Sequence, residues 1–136
     1  MQNLQDIVAF IDDCGLGFLS TKGTCGNPRV RPVQSVICHN NRIYFATATT
    51  KNFYKHIQNH SGIEYCACNQ DGSFLRLRGE ARIAQHLDVK EAMFAKYPIV
   101  QEIYKEVTNP SFAVFYLENI SAQLQNPQGE RTLLKA

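Results

Sequence analysis

The chain has 136 residues, of which 44% are hydrophobic and 19% charged, and its formal net charge is +2. This length predicts one domain spanning residues 1–136, and the composition excludes a disordered, collagen-like or coiled-coil chain. No apolar run approaches the roughly 20 residues that cross a bilayer, and the first residues lack the basic and apolar regions of a secretory signal. We therefore expect a cytoplasmic protein that does not span a membrane.

Hydrophobic periodicity predicts a chain of short strands with few helices. In chain order, the predicted elements are a helix at 3–14, strands at 16–21, 29–38 and 42–47, a helix at 52–60, strands at 63–69 and 74–84, helical turns at 89–96 and 99–106, and a last strand at 112–125. Asn3 can cap the first helix and Gly15 can end it. A hairpin turn is expected at 39–42, and Gly79, in mid-strand, is expected to permit a bulge.

This element order predicts a mainly β fold, a small and mostly antiparallel β-barrel with peripheral helices. Six strands with few crossover helices argue against a doubly wound fold. Neither a GxGxxG nor a GxxxxGK[ST] motif occurs in the sequence. The tail after residue 129 carries little signal.

Charge is distributed unevenly along the chain. No carboxylate occurs between Asp13 and Glu64, a stretch that holds Lys22, Arg29, Arg31, Arg42, Lys51 and Lys55. A basic block of this kind indicates an anionic ligand, and a merely solvated basic face is the alternative. The sequence pI of 8.3 is below the value of about 9 that is common in nucleic-acid-binding domains, so a small anion is favoured.

Two segments of the basic block carry groups suited to an anion. Pro32 lies inside a predicted strand, where it cannot donate a ladder hydrogen bond and must mark an edge or a bulge. Arg29 and Arg31, two residues apart, share one face of that strand and can bind a phosphate or a carbonyl-rich ring edge, or be ordinary surface arginines. The second segment, 47–52, combines three threonines with Lys51 at a strand-to-helix junction. Such a junction can cradle a phosphate or can be a plain helix cap. The hairpin at 39–42 predicts that both segments lie close together, on adjacent strands.

Cysteines and histidines give little reason to expect a metal or a disulfide. The five cysteines are odd in number and form no CxxC motif, which favours reduced, buried thiols. Cys66 and Cys68, two residues apart in a strand, leave a redox pair open. His56 and His60 are four apart on a predicted helix but have no third ligand, so we expect a solvent-facing helix surface and no metal site.

Three motifs resemble the pyridoxamine 5'-phosphate oxidase-like superfamily of FMN-binding split-barrel proteins. They are Arg-Val-Arg-Pro-Val at 29–33, Ile-Tyr-Phe-Ala-Thr-Ala-Thr-Thr-Lys-Asn at 43–52 and Phe-Leu-Arg-Leu-Arg-Gly-Glu-Ala at 74–81. The resemblance covers about residues 4–125 in the right order, and it is strongest for the small branch that includes nitroimidazole-resistance proteins. It implies a six-stranded split β-barrel and a homodimer with FMN at the subunit interface.

The same resemblance implies a set of cofactor-binding residues. Arg31, Pro32, Val33 and Gln34 would line the flavin, and Thr47 and Ala48 would continue that wall. Thr49, Lys51 and Asn52 would hold the phosphate, with Arg29 as a further candidate and Lys55 as a rival of Lys51. The partner chain would contribute from the strand at 74–78, where Arg76 is the best candidate. No catalytic side chain is identified.

The function implied is an FMN-binding oxidoreductase whose flavin accepts a hydride from NAD(P)H and reduces a small acceptor. Vitamin B6 oxidation is not expected, because the chain has no Trp and ends without the C-terminal Trp- and Arg-bearing motifs of the true oxidases. A deazaflavin or a haem in place of FMN remains open. The alternatives are a non-catalytic flavin- or anion-binding module and an OB-like nucleic-acid-binding barrel with exposed aromatics such as Tyr44, Phe45 and Phe74.

Overall fold

The first helix, α1 (Leu4–Cys14), shows how the sequence sets its own boundaries. The computed structural model describes residues 2–136. The Asn3 side chain accepts a hydrogen bond from the Asp6 backbone N–H at 2.9 Å, and the Asp6 carboxylate accepts one from the Asn3 N–H at 3.2 Å. This reciprocal pair is a capping box. Gly15, with φ of +81°, ends the helix, because a residue without a Cβ adopts a positive φ at little cost. The sequence predicted both ends correctly.

Eight strands and three further helices follow. The strands are β1 (Gly17–Lys22), β2 (Pro28–Val33), β3 (Val36–His39), β4 (Arg42–Ala48), β5 (Gly62–Cys68), β6 (Phe74–Ala84), β7 (Phe112–Gln125) and β8 (Arg131–Lys135). The helices are α2 (Asn52–Asn59), α3 (Leu87–Lys96) and α4 (Pro98–Tyr104). All strand pairs are antiparallel, and the strand order is β2-β1-β5-β6-β7-β4-β3, with β8 also paired to β7. The fold is therefore mainly β, as predicted, with eight strands in place of six.

The two additional strands have different origins. The predicted strand at 29–38 is divided at Gln34 and Ser35 into β2 and β3, and the Val36 N–H turns back to the Gln34 carbonyl at 3.1 Å. The tail strand β8 pairs with β7 from Ser121 to Gln125. Its side chains are mostly exposed, so it has little of the apolar alternation by which a strand is recognised in sequence.

The division at residues 34–35 closes the sheet. Because β2 and β3 are the two ends of the strand order and only two residues join them, the ends of the sheet must lie together. The Ser35 carbonyl accepts a hydrogen bond from the Ala46 N–H at 3.2 Å, and the Tyr65 hydroxyl donates to the Val33 carbonyl at 3.3 Å. These contacts fasten the junction to β4 on one side and to β5 on the other.

The expected hairpin forms, but it pairs only the last part of the predicted strand at 29–38 with the returning strand. Asn40 and Asn41 both have positive φ, as a two-residue hairpin turn requires. This turn pairs β3 with β4, whereas β2, with Arg29 and Arg31, pairs with β1. The prediction that the arginine segment lies on the strand adjacent to β4 is therefore wrong. The arginine segment of β2 and the segment at 47–52 meet because the sheet closes where β2 continues into β3.

Two clusters of buried side chains form the core. The larger one lies inside the barrel and joins the apolar stripe of α1 to side chains of α2, β1 and β3 to β7; α1 itself packs on β3, β4 and β5. The smaller one joins α3 and α4 to the faces of β3, β4 and β7. The bulge expected at Gly79 is present as a shift of register between Arg78 and Glu80. The cysteines are not buried as expected: Cys25, Cys66 and Cys68 are exposed, and Cys14 and Cys38 are half-buried.

Candidate functional site

The largest candidate site is a cleft of about 740 Å³ at the junction of β2 and β3, beside the end of β4 and the start of α2. The predicted site residues that line it are Arg31, Pro32, Val33, Gln34, Thr47, Lys51 and Asn52. The lining also includes the apolar side chains of Leu16, Phe53 and the α4 residues Ile99, Val100 and Ile103. The cleft therefore combines the polar groups of a strand edge with an apolar wall from α4.

A second pocket, of about 380 Å³, adjoins the cleft and is strongly basic. Its lining includes Arg29, Arg31, Lys55 and His56, together with Thr24 and Cys25 of the β1–β2 loop. Arg31 and Asn52 line both cavities, so the two cavities meet at these residues. We call the larger cavity the cleft and the smaller one the basic pocket.

The cations of this region have no acidic partners. The residues that line the cleft and the basic pocket include no Asp or Glu. Within residues 2–136, the ion pairs involve His39, Arg82 and Lys96, and none involves Arg29, Arg31, Lys51 or Lys55. Four neighbouring positive charges without a counter-charge repel one another and attract an anion.

Arg31 is held in place at the boundary of the two cavities. Its Nη1 donates to Thr21 Oγ1 at 2.8 Å and to the Leu19 carbonyl at 3.2 Å. Its Nη2 lies 3.3 Å from His56 Nδ1, and its guanidinium carbon lies 4.6 Å from the centre of the Phe53 ring. Burial, followed by the charge of Arg29, lowers the pKa of Arg31, although an arginine stays protonated in proteins.

His56 is buried, which corrects the expectation of a solvent-facing helix surface. Only 7% of the residue is exposed, because it lies on the face of α2 that carries Phe53 and Ile57. Burial is the largest cause that lowers the pKa of His56, followed by the charges of Arg31 and Arg29. Among the described residues, no cluster of three His, Cys, Asp or Glu side chains could hold a metal ion.

Thr47 carries a buried hydroxyl without a partner. The residue is 2% exposed, and among residues 2–136 its Oγ1 is the one buried side-chain polar atom with no hydrogen bond. An unpaired buried hydroxyl costs about 1–3 kcal/mol. Since Thr47 lines the cleft, a ligand with a polar group at this wall would relieve that cost.

The start of α2 has free backbone donors. Lys51 precedes the helix, and no side chain caps its N-terminus, so neither Thr50 nor Asn52 acts as the plain cap considered as an alternative. The Tyr54 N–H donates to the Lys51 carbonyl at 3.1 Å, so the free donors are the N–H groups of Asn52 and Phe53, the first two of the helix. Here they lie next to the Lys51 and Asn52 side chains, at the edge that the cleft shares with the basic pocket.

Three predicted residues lie elsewhere. Ala48 is buried against the α3 and α4 cluster, and Thr49, whose N–H donates to the Ser111 carbonyl at 2.9 Å, is not among the residues that line either cavity. Arg76 is exposed on the outer face of β6, with its guanidinium 5.4 Å from the centre of the Phe74 ring. Within one chain, Arg76 does not reach the cleft.

Three features of the site were not predicted from the sequence. They are the contacts of Thr21 and His56 with Arg31 and the apolar wall from α4. For His56 a signal existed, because it is three residues from Phe53 and next to Ile57 on the apolar stripe of α2. The contacts of α4 with the cleft have no such signal. The aromatics required by the nucleic-acid alternative are mostly unavailable for stacking, because Tyr44 and Phe45 are buried.

Solved structures share this architecture. A NimC/NimA family protein from Clostridium acetobutylicum superposes with a TM-score of 0.90 and 26% identity, covering 98% of this chain and 92% of that one. A pyridoxamine 5'-phosphate oxidase-related, FMN-binding protein from Nostoc punctiforme gives a TM-score of 0.63 at 16% identity, covering 97% and 96%. A heme-binding protein from Mycobacterium smegmatis gives 0.77 at 12%, covering 96% of this chain and 57% of that one. The last two show the fold alone.

No curated protein matches the chain significantly. Among the helices of residues 2–136, none has the length and apolar character of a membrane span.

The family assignment rests first on the sequence. The family model described as pyridoxamine 5'-phosphate oxidase matches residues 4–126, nearly the range over which the three motifs suggested the resemblance. That match, together with the NimC/NimA neighbour and the shared split barrel, confirms the resemblance, and the chain belongs to the pyridoxamine 5'-phosphate oxidase family.

Proposed function

We propose that this chain is a cytoplasmic FMN-dependent oxidoreductase that works as a homodimer, taking a hydride from NAD(P)H and reducing a small acceptor. The observation that carries the proposal is the pairing of two cavities across Arg31: a large cleft with an apolar wall and a small basic pocket without a carboxylate. FMN has a matching construction, with a flat, largely apolar ring system at one end and a phosphate at the other.

The cleft suits the flavin ring. The β2–β3 junction interrupts strand pairing at Gln34 and Ser35. Their carbonyls already accept hydrogen bonds from Val36 and Ala46, so their N–H groups are the backbone groups available to the polar edge of a ring. Thr47 supplies a hydroxyl without a partner on the same side. Ile99 and Ile103 of α4 supply the apolar wall against which a ring face can pack.

The basic pocket suits the phosphate. Arg29, Arg31 and Lys55 surround it, and Asn52 lies at its boundary with the cleft, beside the free N–H groups at the start of α2. Guanidinium groups and helix N-termini are favourable phosphate ligands. This arrangement favours Lys55 as the phosphate lysine and leaves Lys51, which lines the cleft, nearer to the ribityl chain or ring.

Haem fits this cleft less well than FMN. Haem iron is held by His, Cys, Met or Tyr side chains, and none of the described residues that line the cleft is of these types. His56 lines only the basic pocket, and its Nδ1 lies within hydrogen-bond distance of Thr21 and Arg31. The residues present thus favour a phosphate-bearing ligand bound without an axial metal contact.

A second copy of the chain would complete the site. The outer face of β2, β1, β5 and β6 carries exposed apolar residues, among them Phe18 at 48% and Val30 at 69% exposure. The register places Pro32, Phe18, Cys66 and Arg76 in one row across these strands. A partner packed on this face would bury the apolar residues and bring Arg76 to the other subunit's cleft.

The residues that line the two cavities indicate which part of the reaction the cofactor would perform and which part the protein. Bound flavin would supply the hydride and electron chemistry. Residues of the chain would orient it: the basic pocket fixes the phosphate, the β2–β3 junction meets the polar edge of the ring, and α4 excludes water from one face. No described side chain in the cleft is an obvious general acid or base, which agrees with a reaction that the cofactor carries.

The proposal is tested by an absorption spectrum of the purified protein before and after addition of FMN and gel filtration. Retained flavin at about one per chain supports it, and a colourless protein that fails to retain FMN overturns it. Anaerobic addition of NADH or NADPH then separates the enzyme from a non-catalytic flavin-binding module, because only the enzyme bleaches the flavin absorbance.

A further inference from the structure

We propose that His56 is a positioning residue for Arg31: its unprotonated Nδ1 accepts a hydrogen bond from Nη2 and fixes the guanidinium at the boundary between the cleft and the basic pocket. This inference rests on the proposed function in taking the ligand of Arg31 to be the FMN phosphate. The contacts that support it are made within the chain itself, so it can also be tested without a flavin.

The hydrogen-bond partners determine the state of the imidazole. Arg31 Nη2 lies 3.3 Å from His56 Nδ1, and Thr21 Oγ1 lies 3.1 Å from the same nitrogen. An arginine can only donate, so Nδ1 must accept and carry no proton, and the neutral ring must carry its proton on Nε2. Thr21 Oγ1 itself accepts from Arg31 Nη1 at 2.8 Å, which leaves its own hydrogen free to share the single lone pair of Nδ1 with Nη2.

Two N–H donors of Arg31 have no partner among the described residues of the protein. A guanidinium has five N–H donors. The two hydrogens of Nη1 are used by Thr21 Oγ1 and the Leu19 carbonyl, with the Arg29 carbonyl as a more distant acceptor at 3.5 Å, and His56 uses one hydrogen of Nη2. The Nε hydrogen and the second Nη2 hydrogen remain. These two lie on the same edge of the planar group, the edge that binds an oxyanion in bidentate fashion.

The charges around His56 disfavour its protonation. Arg31 and Arg29 approach it from β2 and Lys55 lies beside it on α2, while β1 contributes the uncharged Thr21 and the adjoining loop contributes the Cys25 thiol. No carboxylate lines this pocket. A proton on Nδ1 would point an N–H at the Nη2 donor of Arg31, so protonation would break the contact that holds the guanidinium.

The experiment compares two substitutions of the same residue by their FMN affinity. His56→Asn keeps an oxygen acceptor close to the position of Nδ1, whereas His56→Leu removes the acceptor and keeps an apolar side chain. We expect His56→Leu to weaken FMN binding about tenfold, the usual effect of losing a hydrogen bond to a charged group, and His56→Asn to stay within about threefold of the wild type. Riboflavin, which lacks the phosphate, should bind all three proteins equally.

A double-mutant cycle shows whether His56 acts through Arg31. In an Arg31→Ala background, His56→Leu should cause no further loss of FMN affinity, because coupled residues are not additive. A loss that is the same in both backgrounds, or equal loss in His56→Asn and His56→Leu, would overturn the proposal. A purely structural role would also weaken riboflavin binding.

A measurement without flavin separates this inference from the proposed function. Nitrogen NMR of the full chain at pH 7, with the His56 signals assigned by their loss in His56→Asn, reports which ring nitrogen is protonated. We expect the proton on Nε2, and we expect Arg31→Ala to raise the pKa of His56. A proton on Nδ1 refutes the inference whether or not FMN binds, and failure to bind FMN with the expected tautomer refutes only the proposed function.

Discussion

Replacing Thr47 by valine should affect stability and flavin binding in opposite directions. The hydroxyl is buried and has no partner among the described residues, so the protein without ligand bears its desolvation cost of about 1–3 kcal/mol. Valine has nearly the same shape and the same preference for a strand. Thr47→Val should therefore remove the cost without opening a cavity.

The magnitude follows from the chain length. An unfolding entropy of about 2 cal/mol/K per residue gives about 0.3 kcal/mol/K for this chain, so a gain of about 1–2 kcal/mol raises Tm by about 3–7 °C. If the proposed function holds, bound FMN would give the hydroxyl a partner that valine cannot replace. Affinity should therefore fall by about 1–3 kcal/mol, or roughly fivefold to 150-fold.

The assays are thermal unfolding without ligand and a titration followed by flavin fluorescence. Thr21→Val is the matched control, because Thr21 is equally buried but its hydroxyl contacts Arg31 and His56; this variant should lose stability. A Thr47→Val protein with a lower Tm would refute the unpartnered hydroxyl, and one with the flavin affinity of the wild type would refute a contact between this hydroxyl and the flavin.

Four further outcomes are expected. Lys55→Gln should weaken FMN binding more than Lys51→Gln and leave riboflavin binding unchanged, as titrations of both flavins will show; equal effects would place the phosphate elsewhere. Gly79→Ala should lower the free energy of unfolding in urea by about 1–3 kcal/mol, because its Cβ would meet backbone at 3.1 Å. Arg76→Ala should reduce FMN retention although Arg76 lies outside its own cleft, and unchanged retention would exclude a contribution across the dimer. The pKa of His56 is lowered from 6.5 by burial and by neighbouring arginines, so the unfolded chain binds more protons just below that pH. Stability should then rise with pH through this window and fall on acidification, with a smaller slope in His56→Asn.

Local signals gave the elements of the fold. The Asn3 cap, Gly15, the Asn40-Asn41 turn and the Gly79 bulge each follow from the conformational preference of one or two residues, and all were predicted. The division of residues 29–38 was not, because the apolar and polar pattern runs through Gln34 without a stop signal. What divides this strand is barrel closure, a requirement of the whole sheet that no short segment carries.

The candidate site shows the same limit. Arg31, Pro32 and Lys51 were recognised because their residue types suit an anion or a broken strand edge. Their meeting was attributed to the hairpin, whereas it results from the joining of β2 and β3 at the ends of the sheet. The burial of His56 depends on which face of α2 packs against β1, and the apolar wall depends on where α4 docks. Both depend on tertiary packing, which the local sequence pattern does not specify.

The central claim is that one ligand spans the cleft and the basic pocket, with its phosphate at Arg29, Arg31 and Lys55. The most direct test is a comparison of FMN and riboflavin binding to the wild-type protein by flavin fluorescence. We predict that the protein binds FMN at least tenfold more tightly than riboflavin, as expected for charge-assisted phosphate contacts worth roughly 1.5 kcal/mol or more. Lys55→Gln should reduce this difference in affinity between the two flavins. Equal affinity for the two flavins, or no binding of either, would contradict it.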